Sequence, residues 1–231
     1  MLIITIIALI GLSIPASAVS LGPLFWLGPQ TMDNLQNYIV EAGTTMQLPA
    51  VPGANTMYRH FALWPGMRTD NYRARGLPYG GHLIQTIMSP NGVANQGQRS
   101  CKGGERDDQW CRGTSNALQS SRLQINIRYA WNPSTRNTTQ YLKVGGGNLI
   151  SEYTSDSGRP FNWHVTVECW ECVGTTPEHS YLDTTIKLQN AEPKFDSWLT
   201  TTNVTHSPVT TNDGGKTWHV NWIHVKSHRF G

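Results

Sequence analysis

The sequence predicts an all-β fold, an antiparallel β-sandwich or jelly roll with one short N-terminal helix. Several segments alternate apolar and polar residues with a period of two, which is typical of strands with one buried and one solvent-facing side. Charged residues make up 14 % of the 231-residue chain, against about 25 % in an ordinary soluble domain. Glycine, proline and small polar residues take their place, so a coiled coil or a helical bundle is excluded.

The N-terminus has the pattern of a secretory signal peptide. The apolar run Leu2–Leu12 is followed by Ala16-Ser17-Ala18, an A-x-A cleavage signal, although no basic residue precedes the run. We therefore expect cleavage after Ala18, secretion of residues 19–231 as a single β-rich domain, and no membrane span after cleavage. The alternative is an uncleaved N-terminal anchor.

Secondary structure is expected to comprise roughly eight to twelve strands and little helix. The one helix is expected at Thr31–Glu41, where Leu35, Tyr38 and Ile39 fall at helical spacing. The expected strands are His82–Ser89, Ser121–Trp131, Gln140–Val144, Phe161–Cys169 and 216–226, with weaker ones at Ser180–Gln189 and Ser197–Val204. In the last strong strand the alternation changes phase at Ile223, which indicates a β-bulge or a strand buried on both faces.

Residues 92–120 are a long polar segment that is expected to be a loop. It contains two of the four cysteines, Cys101 and Cys111, and the others are Cys169 and Cys172. An even number of cysteines behind a signal peptide favours two disulfides, and their pairing stays open. Redox or metal use of Cys169 and Cys172 is the alternative, although a second C-x-x-C for zinc is absent.

Two sequons, at Asn137 and Asn203, are acceptors for N-glycosylation in a eukaryotic secretory pathway. A separate motif, Thr211-Asn-Asp-Gly-Gly-Lys-Thr-Trp218, fits the pattern S/T-x-D-x-G-x-T-W. It resembles the Asp-box hairpin of sialidase-like propellers. Because the motif occurs once here and is structural in those proteins, it implies a hairpin at 211–218 and nothing about chemistry.

Sequence signatures of familiar chemistry are missing. The chain has no G-x-S-x-G, H-E-x-x-H, phosphate loop or dinucleotide fingerprint. We therefore expect no cofactor and no metal. The formal net charge of +3 does not indicate a nucleic-acid partner.

The candidate ligand-binding residues come from the polar sides of two predicted strands. Arg122, Gln124, Asn126 and Arg128 line one side of 121–131, while His164 and Glu168 line one side of 161–169. If both strands belong to one sheet, these side chains form a single surface. Amides and guanidinium groups give directional hydrogen bonds to hydroxyls and carboxylates, so a glycan is the expected partner.

Three function hypotheses follow from these patterns. The first is a secreted carbohydrate-active or carbohydrate-binding β-sandwich, which in its most specific form is a lyase of acidic polysaccharide. The second is a non-enzymatic secreted matrix protein, toxin or effector. The third is a secreted enzyme acting on a small molecule in a sandwich or barrel cavity. A two-carboxylate glycosidase is less supported, because no second carboxylate pairs with Glu168 by pattern.

Overall fold

The computed structural model describes residues 19–30, 37–49, 61–70, 83–89, 92–97, 111–112, 124–145, 147, 149–170 and 174–231. In this part of the chain there are seventeen strands and one 3-10 helix, Phe195–Trp198. The strands in chain order are β1 (Val19–Leu27), β2 (Ile39–Gln47), β3 (Phe61–Thr69), β4 (Leu83–Ser89), β5 (Gly92–Gly97), β6 (Cys111–Arg112), β7 (Gln124–Asn132), β8 (Asn137–Val144), β9 (Leu149–Asp156), β10 (Pro160–Trp170), β11 (Gly174–Thr176), β12 (His179–Leu188), β13 (Thr200–Thr202), β14 (Val204–His206), β15 (Val209–Thr210), β16 (Thr217–Val225) and β17 (His228–Phe230).

Two large antiparallel sheets form the molecule. The seven-stranded sheet has the spatial order β13-β1-β10-β3-β4-β5-β6, and the eight-stranded sheet has β14-β16-β12-β2-β7-β8-β9, with β15 pairing on β16. Strands β11 and β17 form a small third sheet. The two large sheets pack face to face, which confirms the predicted antiparallel β-sandwich.

One hydrophobic core fills the space between the large sheets. Trp163 of β10 and Tyr129 of β7 are fully buried, and their ring centroids lie 5.7 Å apart across the core. The Tyr129 hydroxyl reaches the opposite sheet, where it lies 2.9 Å from the carbonyl oxygen of Pro65 and 2.8 Å from Oγ1 of Thr86. The apolar positions of the alternating strands therefore face inward, as their period of two requires.

Most of the expected strands are present, but several segments differ from expectation. Residues 39–41 of the expected helix begin β2 instead, and residues 31–36 lie outside the described part of the chain. Residues 92–97, expected in a loop, pair with β4 as strand β5. The weak strand Ser197–Val204 is divided between the 3-10 helix and the short strands β13 and β14. Strand β3 was missed altogether, because Pro65 and Gly66 interrupt its pattern.

The hairpin expected at 211–218 is present between β15 and β16. The Asp213 carboxylate accepts hydrogen bonds from the backbone N–H groups of Lys216 (3.0 Å) and Thr217 (2.8 Å). Gly214 and Gly215 have φ values of 73° and 93°, in the left-handed region that favours glycine. The turn therefore owes its shape to one carboxylate and two glycines.

The phase change in β16 is also present, and its partner strand changes phase with it. Asn221 and Trp222 are both exposed between the buried residues Val220 and Ile223. Opposite them in β12, Asp183 adopts φ 52°. Because two consecutive residues face solvent, the phase change is a local irregularity of both strands, and the strand is not buried on both faces.

Candidate functional site

The predicted ligand-binding residues do not form one surface. Gln124, Asn126 and Arg128 lie on β7 in the eight-stranded sheet, whereas His164 and Glu168 lie on β10 in the seven-stranded sheet. The intervening apolar residues of both strands belong to the shared core. The two polar sides therefore face outward on opposite sides of the sandwich. Arg122 lies outside the described residues.

On the outward side of β7, the predicted residues pair with neighbouring strands. Arg128 donates two hydrogen bonds of 2.9 Å to the Glu41 carboxylate on β2, which lowers the pKa of Glu41. Asn126 donates to Oγ1 of Thr45 at 2.7 Å. The acid that pairs with Arg128 lies on the adjacent strand β2, so the sequence of β7 alone does not reveal it.

A denser cluster occupies the outward side of the seven-stranded sheet, which we call the β10 face. Its members are the outward-facing side chains of four adjacent strands: Trp26, Trp64, Arg68, Gln85, Asn162, His164, Thr166 and Glu168. In the pairing register His164 lies opposite Trp26 on one side and Gly66 on the other, and Gly66 lies opposite Gln85. One row across the sheet therefore reads Trp26, His164, Gly66, Gln85.

Two indole rings pack against His164. Trp26 stacks on the imidazole with a centroid separation of 4.8 Å and an interplanar angle of 15°. Trp64 meets the imidazole edge-on at 5.0 Å and 71°, and its Nε1 donates to the Glu168 carboxylate at 3.0 Å. The Arg68 guanidinium lies over the Trp26 ring, 5.5 Å from its centroid. The cluster is thus continuous from Arg68 to Glu168.

Gly66 makes room for this arrangement. A Cβ atom at this position would lie 2.5 Å from the carbonyl oxygen of Ile84 and 3.3 Å from Cε3 of Trp64. Only glycine permits the close approach of β4 while the Trp64 indole lies beside it. Trp26, Trp64 and Gln85 were not predicted from the sequence, because no motif marks them and the pattern of β3 does not indicate a strand.

The centre of the β10 face is buried, and its edges are partly exposed. His164 and Trp64 are 2 % and 4 % exposed and Gln85 is fully buried, whereas Trp26, Arg68 and Glu168 remain partly accessible. Burial lowers the pKa of His164 to about 3, with a smaller contribution from the charge of Arg68. Burial also raises the pKa of Glu168, against the opposing effect of the Trp64 hydrogen bond.

Three polar atoms at this centre have no hydrogen-bond partner among the described residues: Nδ1 of His164 and both Oε1 and Nε2 of Gln85. Their neighbours are satisfied. Asn162 donates to the carbonyl oxygen of Pro29 at 2.9 Å, and Thr166 donates to that of Pro23 at 2.9 Å. An unpaired buried polar group costs about 1–3 kcal/mol. Buried polar atoms of this kind are commonly satisfied by an ordered water or by another bound polar group.

A pair of catalytic carboxylates is not assembled on this face by the described residues. Glu168 lies opposite Ala62 at one end of β3, and Asp70 follows the other end of that strand. Eight residues of extended chain separate their positions by about 26 Å. This exceeds the carboxylate spacing of roughly 5–10 Å in retaining and inverting glycosidases.

A second polar contact, on the outward side of the eight-stranded sheet, also lacks the features of a catalytic site. Oγ of Ser180 lies 3.1 Å from Nδ1 of His224, whose Nε2 lies 3.7 Å from the Glu178 carboxylate. Ser180 belongs to β12, which is paired on both sides by β2 and β16. Its surrounding backbone N–H groups are used by the sheet, so they do not form an oxyanion hole.

The remaining predictions concern metals, membranes, cysteines and sequons. Among the described residues, no group of three or more His, Cys, Asp or Glu side chains is suited to a metal ion, and no helix is long and apolar enough to cross a membrane. Cys169 is buried on β10 and is not a free thiol. Cys101 and Cys172 lie outside the described residues, as does the Cys111 side chain, so the pairing stays a prediction. Asn203 is exposed and Asn137 is half-buried.

Comparison with known proteins gives structural likenesses alone. No family model and no curated protein matches the chain. Among solved structures, the Bacillus licheniformis β-glucanase matches with TM-score 0.38 and 12 % identity over 89 % of this chain and 78 % of that one. The endo-1,3-β-glucanase of Streptomyces sioyaensis matches with TM-score 0.39 and 12 % identity over 87 % of this chain and 67 % of that one.

A family 16 glycoside hydrolase from Bacteroides ovatus, an endo-glucanase, matches with TM-score 0.34 and 14 % identity over 66 % of this chain and 72 % of that one. All these TM-scores are below 0.5, and all the identities are below 25 %. The likeness is therefore too loose to carry a conclusion about activity.

Proposed function

We propose that this chain is a carbohydrate-binding β-sandwich and that the β10 face is its glycan site. The observation that carries the proposal is the set of three unpaired buried polar atoms on His164 and Gln85, with the indoles of Trp26 and Trp64 packed against the His164 imidazole. Ligand sites in proteins are mostly apolar and aromatic, with a small number of placed polar groups. The β10 face has this composition.

Sugars match this chemistry in two ways. The apolar face of a pyranose ring packs on an indole. Trp26 is the partly exposed indole of this face, and a sugar that packs on it takes the place of the Arg68 guanidinium that lies over its ring. Sugar hydroxyls both donate and accept hydrogen bonds, and so do the Gln85 amide and the neutral His164 imidazole. Trp26, Arg68 and Glu168 at the edges of the face are partly accessible, so a ligand would reach the face from there.

Binding is better supported than β-elimination. A lyase needs a residue that removes a proton at neutral pH, and His or Tyr is the usual choice. His164, with a pKa of about 3, is a poor base at neutral pH. The fully buried tyrosines Tyr129 and Tyr181 face the core, where burial raises their pKa values. Among the described residues, no group on the β10 face is suited to this step.

Secretion is part of the same proposal. Residues 1–18 carry the signal-peptide pattern, and Ala16-Ser17-Ala18 marks the expected cleavage position. We expect secreted material to begin at Val19 on N-terminal sequencing, to contain no free thiol, and to carry glycan at the exposed Asn203 when made in a eukaryotic host. Recovery of a full-length intracellular protein would contradict the cleavage.

A glycan array with the secreted protein tests the proposed function. We expect binding to at least one polysaccharide and a loss of at least tenfold in affinity for Trp26→Leu, which removes the stacking surface but keeps an apolar side chain. The matched control is Arg128→Gln on the opposite side of the sandwich, which should leave affinity unchanged. The affinities are compared only if the melting temperatures of the two variants are equal.

The outcomes separate the competing functions. Loss of binding in Arg128→Gln with none in Trp26→Leu would move the site to the outward side of β7. Binding to no glycan would overturn the proposal and favour a non-enzymatic effector or a small-molecule enzyme. Release of unsaturated uronate products, measured by their absorbance, would show that the protein is a lyase.

A further inference from the structure

We propose that the two disulfides of this chain are local, with Cys101 bonded to Cys111 and Cys169 bonded to Cys172. Four cysteines allow three pairings, and the register of the seven-stranded sheet distinguishes them. This inference is independent of the proposed function, because it rests on the relative positions of strands β5, β6 and β10.

The register places Cys111 far from Cys169. Successive pairing partners across the sheet lead from Cys111 to Gly97, Ile84, Met67 and Trp163. Cys111 and Trp163 therefore lie in one row, four strands apart, which is about 19 Å at about 4.8 Å per strand. Cys169 lies six residues beyond Trp163 on β10, which adds about 20 Å along the strand. The Cα atoms of Cys111 and Cys169 are thus about 28 Å apart.

A disulfide between Cys111 and either cysteine of the C-x-x-C pair is excluded by this distance. Disulfides require Cα atoms about 4.4–6.8 Å apart, and the separation across the sheet or along the strand alone exceeds that range. Cys172 follows Cys169 by three residues, which span at most about 11 Å. Cys172 therefore stays at least about 17 Å from Cys111, whatever path the chain takes between them.

Cys101 is limited by the length of chain that connects it to β5. It follows Gly97 by four residues, so it lies within about 14 Å of Gly97. Gly97 lies in the row of Trp163, three strands from β10, and is therefore about 25 Å from Cys169. At least about 10 Å separates Cys101 from Cys169, which again exceeds the reach of a disulfide. Gly97 is the pairing partner of Cys111, so Cys111 is within reach of Cys101.

Elimination leaves one connectivity. Cys169 is buried and disulfide-bonded, and Cys172 is the remaining cysteine that can reach it. Cys101 and Cys111 then bond to each other and close the connection between β5 and β6. Each bond forms when two thiols lose two electrons and two protons to the disulfide of a thiol–disulfide oxidoreductase, which becomes a dithiol. Neither bond joins the two large sheets, which are held together by their shared core.

Peptide mapping of the secreted protein tests this connectivity. Free thiols are first alkylated, and the denatured, unreduced chain is then cleaved after Lys, Arg and Glu. We expect peptide 100–102 to be linked to 107–112, peptide 169–171 to be linked to 172–178, and no cysteine to be alkylated. The same digest after reduction is the control and should contain neither link. A link between either of the first two peptides and either of the last two would overturn the proposal, as would an alkylated cysteine or a disulfide-linked dimer.

Two matched variants, Cys101→Ser and Cys172→Ser, each remove one member of a proposed pair. We expect one free thiol in each variant, on Cys111 in the first and on Cys169 in the second, located by alkylation before digestion. A free thiol on Cys169 in Cys101→Ser would overturn the proposal. The peptide map of the parent decides the connectivity even if Cys172→Ser fails to fold.

Discussion

At the scale of single residues, Asp213 illustrates how one carboxylate sets a pH dependence. Hydrogen bonds from the Thr217 backbone, and then from Thr211 and Lys216, lower its pKa from 3.8 to about 2. A carboxyl whose pKa is depressed on folding stabilises the protein above its unfolded pKa, and this contribution is lost as pH falls through the folded pKa. We expect Asp213→Asn to lower the melting temperature at pH 7. The difference from the parent should shrink between pH 4 and pH 2, and a constant difference would contradict this account.

His164 gives a second prediction of a pH dependence. Here burial keeps a histidine neutral, whereas in Asp213 hydrogen bonds keep a carboxylate ionised. It is neutral in the folded protein down to about pH 3, whereas a histidine in the unfolded chain takes up a proton near pH 6.5. Because the unfolded state then binds the extra proton, stability falls as pH decreases from 6.5 to 3, by about 1.4 kcal/mol per pH unit. We expect His164→Gln to lose this pH-dependent decrease in the free energy of unfolding, and denaturant unfolding at several pH values measures it.

His179→Gln is the matched comparison for the pH dependence of the free energy of unfolding. Burial lowers the pKa of His179 to about 4, so its contribution should stop one pH unit earlier than that of His164. If His164→Gln keeps the full pH dependence of the parent, then His164 is protonated in the folded state and the neutral centre of the β10 face is wrong.

Some site residues were predictable from sequence, and others were not. Alternation placed His164 and Glu168 on the outward side of β10, because the period of a strand fixes which side chains share a face. Trp26, Trp64 and Gln85 were not predictable, because they contribute to the site through pairing with β10, and the pairing of distant strands leaves no local pattern. Only the structure shows that the amide atoms of Gln85 are unpaired.

At the scale of elements, the turn at 211–218 offers a paired test of two adjacent glycines. A Cβ at Gly215 would lie 2.5 Å from the backbone carbonyl carbon and oxygen of Glu192, whereas one at Gly214 would meet nothing within 4 Å. Both have positive φ, so alanine at either position costs about 1–2 kcal/mol of backbone strain. We expect Gly214→Ala to cost this amount in denaturant unfolding. Gly215→Ala should cost about 3 kcal/mol or more, and equal costs would contradict the clash.

Strand prediction succeeded where the local pattern was complete. Strands β7, β10 and β16 alternate without interruption or with one phase change, and all three were predicted. Strand β3 contains Pro65 and Gly66, which locally resemble a turn. Strand β5 is rich in small and polar residues and was assigned to a loop. In both cases pairing with β4 overrides weak local propensity.

At the scale of the whole molecule, alternation predicts which residues face outward but not which sheet carries each strand. Strands β7 and β10 have equivalent patterns, yet they lie in different sheets. Strand β7 pairs with the next strand, β8, and with the distant β2, whereas β10 pairs with the distant strands β1 and β3. The predicted common surface was therefore divided between two opposite faces, one dominated by the Arg128–Glu41 ion pair and the other by the His164 cluster.

The contact between the two sheets yields the last prediction, from two buried tyrosines. The hydroxyl of Tyr129 has two partners on the opposite sheet, Pro65 and Thr86. The hydroxyl of Tyr181, equally buried, has no partner among the described residues. Removing the first hydroxyl removes two buried hydrogen bonds and should cost about 1–3 kcal/mol, whereas removing the second eliminates an unpaired group.

We therefore expect Tyr129→Phe to lower the free energy of unfolding and Tyr181→Phe to leave it unchanged or raise it. Both substitutions keep the aromatic ring, so the packing of the core is the same in each. Urea denaturation of the two variants beside the parent measures the difference directly. Equal destabilisation would show that the Tyr129 hydrogen bonds do not contribute to holding the two sheets together, and that packing alone does so.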